Sequence, residues 1–171
     1  MTPREFTKWV YPEALRASDI SAIFTTAQGA LESGWGKSVI GNNLFGITKG
    51  STWSGKLQLV RTTEYFRIPN KKFTPPEHVY SVTPVGGGLY KYDVDRLFRD
   101  YDSLADCLRD HQIILQKTHF ADAWPYRRDP FEFVIRLQDA VGLKYATSPE
   151  YVNSMMNVIA MIRRIVKEER L

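Results

Sequence analysis

The sequence predicts an α+β fold in which a mostly helical protein carries a β-hairpin inserted in the middle of the chain. Apolar residues recur at helical spacing before residue 33 and again after residue 102. Between them, residues 56–66 and 89–98 alternate with the two-residue period of a strand and are rich in β-branched and aromatic side chains. By its length of 171 residues, the chain is predicted to form one domain that spans residues 1–171.

Two helices are predicted in the first 33 residues. Thr2 and Glu5 have the spacing of a capping box, with a proline at the first helical position. Pro12 is expected to end or kink this helix, because proline lacks the N–H that a helix interior needs. Ser18 or Asp19 is then expected to cap the second helix. The apolar stripe of this second helix is predicted to consist of Ile20, Ile23, Phe24, Ala27 and Leu31.

Glu32 ends the second helical pattern, and Gly34 and Gly36 follow it as helix-stopping residues. A carboxylate beside an apolar stripe is costly unless it is paired, protonated or open to a cleft. Gln28 lies one turn earlier, beside the stripe and not within it, so Glu32 is expected to emerge at the edge of a cleft. Desolvation and the negative helix end would both raise its pKa, which suits a general acid at neutral pH.

A second carboxylate, Glu64, lies on the first predicted strand. Glu64 and its neighbour Tyr65 point to opposite faces of that strand. The connection at 68–89 is rich in proline and glycine and is predicted to be a long hairpin loop. Asp93 and Asp95 on the returning strand are the alternatives to Glu64 for the second carboxylate that works with Glu32.

Three further helices are predicted after the hairpin. Asp102 or Ser103 is expected to cap the first of them. Asp129 and Ser148, each followed by a proline, open the other two, and Gly142 lies past the end of the second. The inward residues of the last two helices are predicted to be Phe131, Val134, Ile135, Val152, Met155, Met156, Ile159 and Ile162.

Composition excludes several classes of function. The formal net charge of +4 is compatible with an anionic wall, but the basic residues at the C-terminus alternate with glutamates, so no nucleic-acid partner is expected. No apolar run approaches the roughly 20 residues of a membrane span, and the N-terminus lacks a signal-peptide pattern. Cys107 is the single cysteine and is predicted to be a packing residue. The three histidines lack the spacing of metal ligands. A monomer without metal or cofactor is expected.

Several short motifs occur together in one order along the chain. They are AQGALESGWG at 27–36, NLFGI at 43–47, WSG at 53–55, TTEY at 62–65, FRDYDS at 98–103 and GLKYATSPEY at 142–151. Together they resemble glycoside hydrolase family 73, the peptidoglycan N-acetylglucosaminidases that include flagellar wall hydrolases, autolysins and phage lysins. The resemblance covers roughly residues 18–162, and several ordered motifs are far more specific than any single one.

The resemblance implies a lysozyme-like fold with a helical lobe, a β-lobe and a substrate groove between them. It also implies cleavage of the β-1,4 bond between N-acetylglucosamine and N-acetylmuramic acid in peptidoglycan glycan strands. Glu32 corresponds to the catalytic acid, Glu64 to the second carboxylate and Tyr145 to the tyrosine of the Y-A-T motif. Substrate-binding residues are expected at Gln28, Trp35, Asn43, Phe45, Trp53, Tyr65 and Tyr151.

The sequence leaves the mechanism open. If Glu64 acts as base on a water molecule, the reaction inverts, and the two carboxyl groups are expected about 6.5–9.5 Å apart. A separation of about 5 Å would indicate retention with a nucleophile. Alternatively, the 2-acetamido group of the substrate attacks, and Tyr145 orients or stabilises it. Inversion through Glu64 is our working hypothesis.

Two other functions remain open at this point. One is a muramidase or lytic transglycosylase on the same scaffold, and the other is an inactive cell-wall-binding module. The protein is expected to act on the cell wall, in the periplasm or outside the cell. Without a signal peptide, a phage-encoded lysin that another protein releases, or a catalytic domain from a longer secreted chain, is expected.

Two positions depart from the pattern of the family. Gly29 stands where family members usually have alanine, and glycine inside a helix costs about 1 kcal/mol relative to alanine. This cost indicates that close packing requires the glycine. Ser148 stands where aspartate is commoner, and either residue can cap a helix.

Overall fold

The structure is a computed structural model that describes residues 1–117, 120–139 and 150–171. The chain forms two compact units in it. The helical unit combines Met1–Phe45 with Tyr101–Leu171, and the β unit is Gly46–Asp100. The β segment is therefore inserted between two helical parts of the chain, as the sequence predicts.

In its described part, the helical unit contains five α-helices. They are α1 (Pro3–Ala17), α2 (Ala22–Glu32), α3 (Leu104–Leu115), α4 (Pro130–Gln138) and α5 (Tyr151–Glu169), with a short 3-10 helix at Trp124–Tyr126. Helix α2 packs against α1, α4 and α5 and is thus the central helix of the unit. The largest fully buried side chains of this unit include Phe6, Phe24, Leu108, Phe133, Met155 and Ile159.

Helix α1 begins as predicted but ends later. Thr2 and Glu5 form the capping box, in which each side chain accepts a hydrogen bond from the backbone of the other residue. The helix runs through Pro12 to Ala17, so Pro12 does not end it. Proline leaves the carbonyl of Lys8 without its helical partner, and because Lys8 is exposed, water can replace that hydrogen bond.

The N-cap of helix α2 lies two residues after Asp19, the later of the two predicted caps. Ser21 is its N-cap, and the Ser21 hydroxyl accepts a hydrogen bond from the N–H of Phe24 at 3.4 Å. The hydroxyl of Ser18 and the N–H of Asp19 donate instead to the side-chain oxygen of Gln112 on α3, at 2.9 and 2.6 Å. A long-range contact therefore engages both residues that the sequence offers as caps.

The caps of α3 and α4 are confirmed, but the buried face of α4 differs from the prediction. Ser103 caps α3 and Asp129 caps α4. The ring of Phe133 packs edge-on against Phe24 of α2, with centroids 4.8 Å apart, and this contact sets the rotation of α4. Ile135 is consequently exposed. The buried residues of α4 are Phe133, Val134 and Leu137.

Helix α5 buries a stripe that largely matches the prediction. Its buried residues are Tyr151, Met155, Val158, Ile159, Ile162 and Ile165. Val152 and Met156 lie at the margin of this stripe and are half-buried. The predicted helix end at Gly142 and the predicted cap at Ser148 lie outside the described residues.

The β unit contains one strand more than the predicted hairpin. Strands β1 (Leu57–Phe66), β2 (His78–Gly86) and β3 (Leu89–Arg99) form an antiparallel sheet in the order β1-β3-β2. Strand β2 lies within the segment that was predicted to be loop because of its prolines. As an edge strand it tolerates Pro84, where the pairing with β3 becomes irregular.

Tyr92 of β3 ties the connection between β1 and β2 to the sheet. It is fully buried, and its hydroxyl accepts a hydrogen bond from the N–H of Lys71 at 3.0 Å and donates to the carbonyl of Ile68. Its ring also contacts the ring of Phe73, with centroids 6.0 Å apart. Because Tyr92 pairs with Glu64 across the strands, this anchored segment lies on the face of the sheet that carries Glu64.

Gly29 tests the packing of α2 directly. A Cβ added at Gly29 would lie 2.6 Å from Cδ2 of Leu44, a buried side chain that has little room to move. Overpacking costs about 1–3 kcal/mol, whereas alanine gains about 1 kcal/mol in helix propensity. We therefore expect Gly29→Ala to lower the free energy of unfolding, by up to about 2 kcal/mol, in urea denaturation.

The matched control for this prediction is the same substitution in a Leu44→Ala background. There the added methyl group has space, so Gly29→Ala should stabilise the protein. Stabilisation by Gly29→Ala in the wild-type background would contradict the predicted contact.

Candidate active site

Glu32 is the last residue of helix α2, most of whose residues are buried. The buried residues of α2 are Ala22, Phe24, Thr25, Thr26, Ala27, Gln28, Gly29 and Ala30. Glu32 itself is exposed to solvent. Protein atoms nevertheless surround its carboxyl group closely enough that desolvation raises its pKa above the ordinary value. A carboxyl group that solvent can reach and that holds its proton to a higher pH can serve as a general acid.

Three consecutive residues in the left-handed region turn the chain immediately after Glu32. The φ angles are 56° at Gly34, 61° at Trp35 and 79° at Gly36. Glycine adopts this conformation freely, but Trp35 does so at a cost. The indole ring of Trp35 packs edge-on against Phe6 of α1, with centroids 5.7 Å apart, and remains partly exposed. The turn is thus held from its side by α1.

Ser33 closes the end of the helix. Its N–H and its hydroxyl both donate to the carbonyl of Gly29, at 3.0 and 2.6 Å, and its oxygen accepts from the N–H of Gly36 at 2.9 Å. The N–H of Trp35 donates to the carbonyl of Ala30 at 2.8 Å. Carbonyls at the helix end are thereby satisfied. Desolvation by burial is the cause of the raised pKa of Glu32. The sequence also predicts that the negative end of the helix raises this pKa.

Gln28 and Tyr151 are buried residues near Glu32. The side-chain nitrogen of Gln28 donates to the hydroxyl of Tyr151 at 3.4 Å, and Gln28 lies one helical turn before Glu32. Burial raises the pKa of the Tyr151 hydroxyl, and the charge of Glu32 raises it further. Both side chains are buried.

The loop that contains Asn43 and Phe45 is packed into the helical unit. Both residues are buried, and the ring of Phe45 stacks on the imidazole of His111 at 3.8 Å. Backbone N–H groups of Leu44 and Phe45 hydrogen-bond to the sulfur of Cys107, whose pKa is raised to about 12 by burial. Burial lowers the pKa of His111 to about 3, so its ring is neutral. These two motif residues fix the loop beside α2.

The β unit places Glu64 and Tyr65 on opposite faces of the sheet. Glu64 is half-buried, and its side chain lies 4.0 Å from the guanidinium of Arg96. Tyr65 is 56% exposed on the other face. The two residues therefore cannot both belong to one binding surface formed by a single face of this sheet.

The alternative carboxylates, Asp93 and Asp95, are engaged on the face opposite to Glu64. The guanidinium of Arg61 donates to both oxygens of Asp93, at 2.9 and 2.6 Å. The hydroxyl of Tyr80 donates to Asp95 at 2.7 Å. Because these contacts occupy both aspartates, Glu64 is the better candidate for the second carboxylate.

Trp53 is held in a tight turn of the β unit. Its indole N–H donates to the carbonyl of Lys56 at 2.9 Å, and the guanidinium of Arg99 lies 4.7 Å from the centre of its ring. A Cβ at Gly55 would come within 2.5 Å of the indole, which explains the glycine two residues after the tryptophan. Tyr145, the third predicted catalytic residue, lies outside the described residues.

Sequence reasoning did not identify Arg96 and Glu77 as part of the site. The two side chains form an ion pair at 2.8 Å, and Arg96 also approaches Glu64. The sequence carries a weak signal for this arrangement, because Arg96 continues the buried face of β3 that Tyr92 and Val94 begin. A charged residue at such a position needs a partner, but its partner is identifiable only from strand pairing.

Among the residues that the structure describes, no group of His, Cys, Asp and Glu side chains is arranged to hold a metal ion. In the same ranges, every helix is too short or too polar to cross a membrane.

Residues 8–164 match the glucosaminidase family, described as mannosyl-glycoprotein endo-β-N-acetylglucosaminidase. The chain belongs to this family. The matched range includes Glu32 and Glu64, and the match confirms the resemblance to glycoside hydrolase family 73 that the motifs indicate. It also confirms the prediction of a glycoside hydrolase.

Curated relatives of this glucosaminidase-family chain are named peptidoglycan hydrolases. The peptidoglycan hydrolase FlgJ of Pseudomonas aeruginosa is 31% identical over 165 residues, which are 90% of this chain and 35% of that protein. The peptidoglycan hydrolase FlgJ of Escherichia coli K12 is 30% identical over 146 residues, which are 81% of this chain and 39% of that protein. The chain thus spans less than half the length of these relatives.

Solved structures share the fold. A peptidoglycan hydrolase mutant from Sphingomonas sp. A1 superposes with a TM-score of 0.68 and 29% identity, over 96% of this chain and 99% of that chain. The glycoside hydrolase domain of Salmonella typhimurium FlgJ superposes with a TM-score of 0.71 and 21% identity, over 99% of this chain and 94% of that chain. These superpositions confirm the predicted α+β, lysozyme-like fold class.

The raised pKa of Glu32 predicts a pH-dependent cost to stability. Folding raises the pKa above the ordinary value of 4.5, so the folded state loses stability as pH rises from that value through the folded pKa. Glu32→Gln removes this loss. We expect the variant to unfold at a higher temperature than wild type at pH 7, with the difference shrinking towards pH 4.

Calorimetry between pH 4 and pH 8 tests this prediction, with Glu13→Gln on α1 as the control for changing a glutamate away from the site. An equal difference between Glu32→Gln and wild type at every pH would show that desolvation of the carboxylate is not its source.

Proposed function

We propose that this chain is a peptidoglycan hydrolase, an endo-β-N-acetylglucosaminidase with Glu32 as its general acid. The observation that carries the proposal is the position of Glu32: a solvent-accessible carboxyl group with a raised pKa at the end of a buried helix. Membership of the glucosaminidase family supports the reaction, and the peptidoglycan hydrolases among the relatives support the substrate.

The first half of the reaction needs a proton on the leaving oxygen. In the proposed mechanism, Glu32 gives its proton to the glycosidic oxygen as the bond to the anomeric carbon breaks. The raised pKa keeps that proton available at higher pH than an ordinary glutamate would. Gln28 and Tyr151 are buried neighbours of Glu32, whose charge raises the pKa of the Tyr151 hydroxyl.

The second half needs a nucleophile at the anomeric carbon. We assign Glu64 as the base: it takes a proton from a water molecule, and the resulting hydroxide equivalent adds to the anomeric carbon with inversion. The engagement of Asp93 and Asp95 on the opposite face of the sheet supports this choice. In the alternative, the acetamido group of the substrate attacks and Tyr145 stabilises it.

Aromatic residues that remain partly exposed are the candidates for sugar stacking. They are Trp35, Trp53 and Tyr65. Aromatic rings offer sugars a flat apolar face, while their polar atoms can bind at the rim. Asn43 and Phe45 are assigned instead to the loop that packs beside α2. The proposed substrate is the glycan strand of the cell wall. Because one chain contains both Glu32 and Glu64, we propose that the protein acts as a monomer.

Glu32→Gln should abolish lysis of purified cell walls while the fold persists. Loss of a general acid costs about 10²–10⁴ in rate, so turbidity should fall at least about a hundredfold more slowly than with wild type. Glu13→Gln, which changes a half-buried glutamate on α1 that pairs with Arg16, should retain full activity. Full lytic activity of Glu32→Gln with an unchanged circular dichroism spectrum would rule out the assignment.

Mass spectrometry of the wild-type digest after borohydride reduction identifies the bond that is cut. N-acetylglucosamine is expected at the reducing ends. Reduced N-acetylmuramic acid would indicate a muramidase, and an anhydro sugar would indicate a lytic transglycosylase. Wall pelleting without any released product would indicate a binding module.

The product anomer separates the mechanisms. If Glu64 is the base, the first product observed by NMR should be the α-anomer, and Glu64→Gln should cost about as much rate as Glu32→Gln. A β-anomer together with a smaller effect of Glu64→Gln would favour attack by the acetamido group and exclude inversion through Glu64.

A further inference from the structure

Arg96 of β3 extends its side chain towards Glu64 of β1. In the sheet, Arg96 pairs with Val60, and Glu64 lies four residues further along β1, about 13 Å at about 3.3 Å per residue. Paired residues and alternate residues share a face, so both side chains lie on the same face and reach towards each other. They end with Nη1 of Arg96 4.0 Å from Oε1 of Glu64.

Arg96 is fixed by contacts that do not involve Glu64. Its Nε donates to Oε1 of Glu77 at 2.8 Å, and the same oxygen accepts from the N–H of Leu97 at 3.0 Å. The guanidinium also lies 5.1 Å from the centre of the ring of Phe73. The side chains of Arg96 and Glu77 are each only 15% exposed. The guanidinium therefore has a defined position before it meets Glu64.

The distance between Arg96 and Glu64 suits orientation better than direct binding. At 4.0 Å, it exceeds the usual range of a hydrogen bond, about 2.7–3.2 Å, so the carboxylate keeps lone pairs that can accept a proton. The Glu64 side chain is 29% exposed, and water can reach it. A base that activates water needs this combination of a fixed direction and an accessible lone pair.

We propose that Arg96 is a positioning residue for the carboxylate of Glu64, and that Glu77 in turn positions Arg96. The inference rests on the proposed function, in which Glu64 takes a proton from the attacking water while Glu32 gives its proton to the leaving oxygen. Arg96 transfers no proton and contacts no reacting atom. It holds the proton acceptor in one orientation.

Arg96→Gln is the first variant of the test, and Arg61→Gln is its matched control. Arg61 also pairs with a carboxylate of the same sheet, Asp93, but on the opposite face. Arg96→Gln should lower kcat about tenfold to a hundredfold on solubilised glycan strands and leave KM unchanged, because misplacement of the base slows the chemical step. Glu77→Gln should lower kcat in the same direction by less, and Arg61→Gln should leave kcat unchanged.

A double-mutant cycle with Glu64→Gln decides whether Arg96 acts through Glu64. In the Glu64→Gln background, Arg96→Gln should cause no further loss of kcat. The same fold-loss of kcat in both backgrounds would overturn the inference, as would an unchanged kcat for Arg96→Gln alone. If Glu64→Gln itself keeps wild-type kcat, the assignment of Glu64 as the base is wrong. The proposed hydrolase function is tested separately, by the activity of Glu32→Gln.

Arg96→Gln also leaves Glu77 without its cation, which could disturb the fold. The double variant Arg96→Gln/Glu77→Gln removes both charges and controls for this effect. A folded double variant that keeps the loss of kcat supports the positioning role. Recovery of wild-type kcat in the double variant would trace the loss to the uncompensated charge of Glu77 and overturn the inference.

Discussion

The burial of helix α2 is the constraint on which the helical unit depends. Eight of its eleven residues are buried, because three other helices and the loop that carries Leu44 pack around it. A helix so enclosed can present a charged side chain to solvent only at its end, and Glu32 stands there. The same packing desolvates the carboxyl group. The burial that stabilises the helix therefore also raises the pKa of Glu32.

Several motif residues of the helical unit make packing contacts within that unit. Gly29 is required because Leu44 occupies the space of its side chain. Gln28 contacts Tyr151, and Phe45 stacks on a neutral, buried histidine. A family motif therefore contains two kinds of residue: residues that perform the chemistry, and residues whose packing holds them in place. Burial distinguishes the two kinds, which the motif alone does not.

Local patterns predicted the elements, and long-range contacts account for what they missed. Ser103 and Asp129 cap their helices as predicted, since a cap depends on a few adjacent residues. Ser18 is not the cap: its hydroxyl donates to Gln112, 94 positions away, and accepts from the N–H of Ile20, while Ser21 caps the helix. Strand β2 was missed because its prolines suggest a loop, although an edge strand tolerates them. The contact of Arg96 with Glu64 depends on the register between two strands, which no local pattern encodes.

Cys107 lies beneath the loop beside α2, where backbone N–H groups of Leu44 and Phe45 contact its sulfur. With its pKa raised to about 12, the thiol stays protonated at physiological pH, and it is fully buried. Such a thiol reacts with alkylating reagents only when the protein above it moves away. Its labelling rate therefore measures how often the loop opens, and the single cysteine makes that signal specific to one site on the chain.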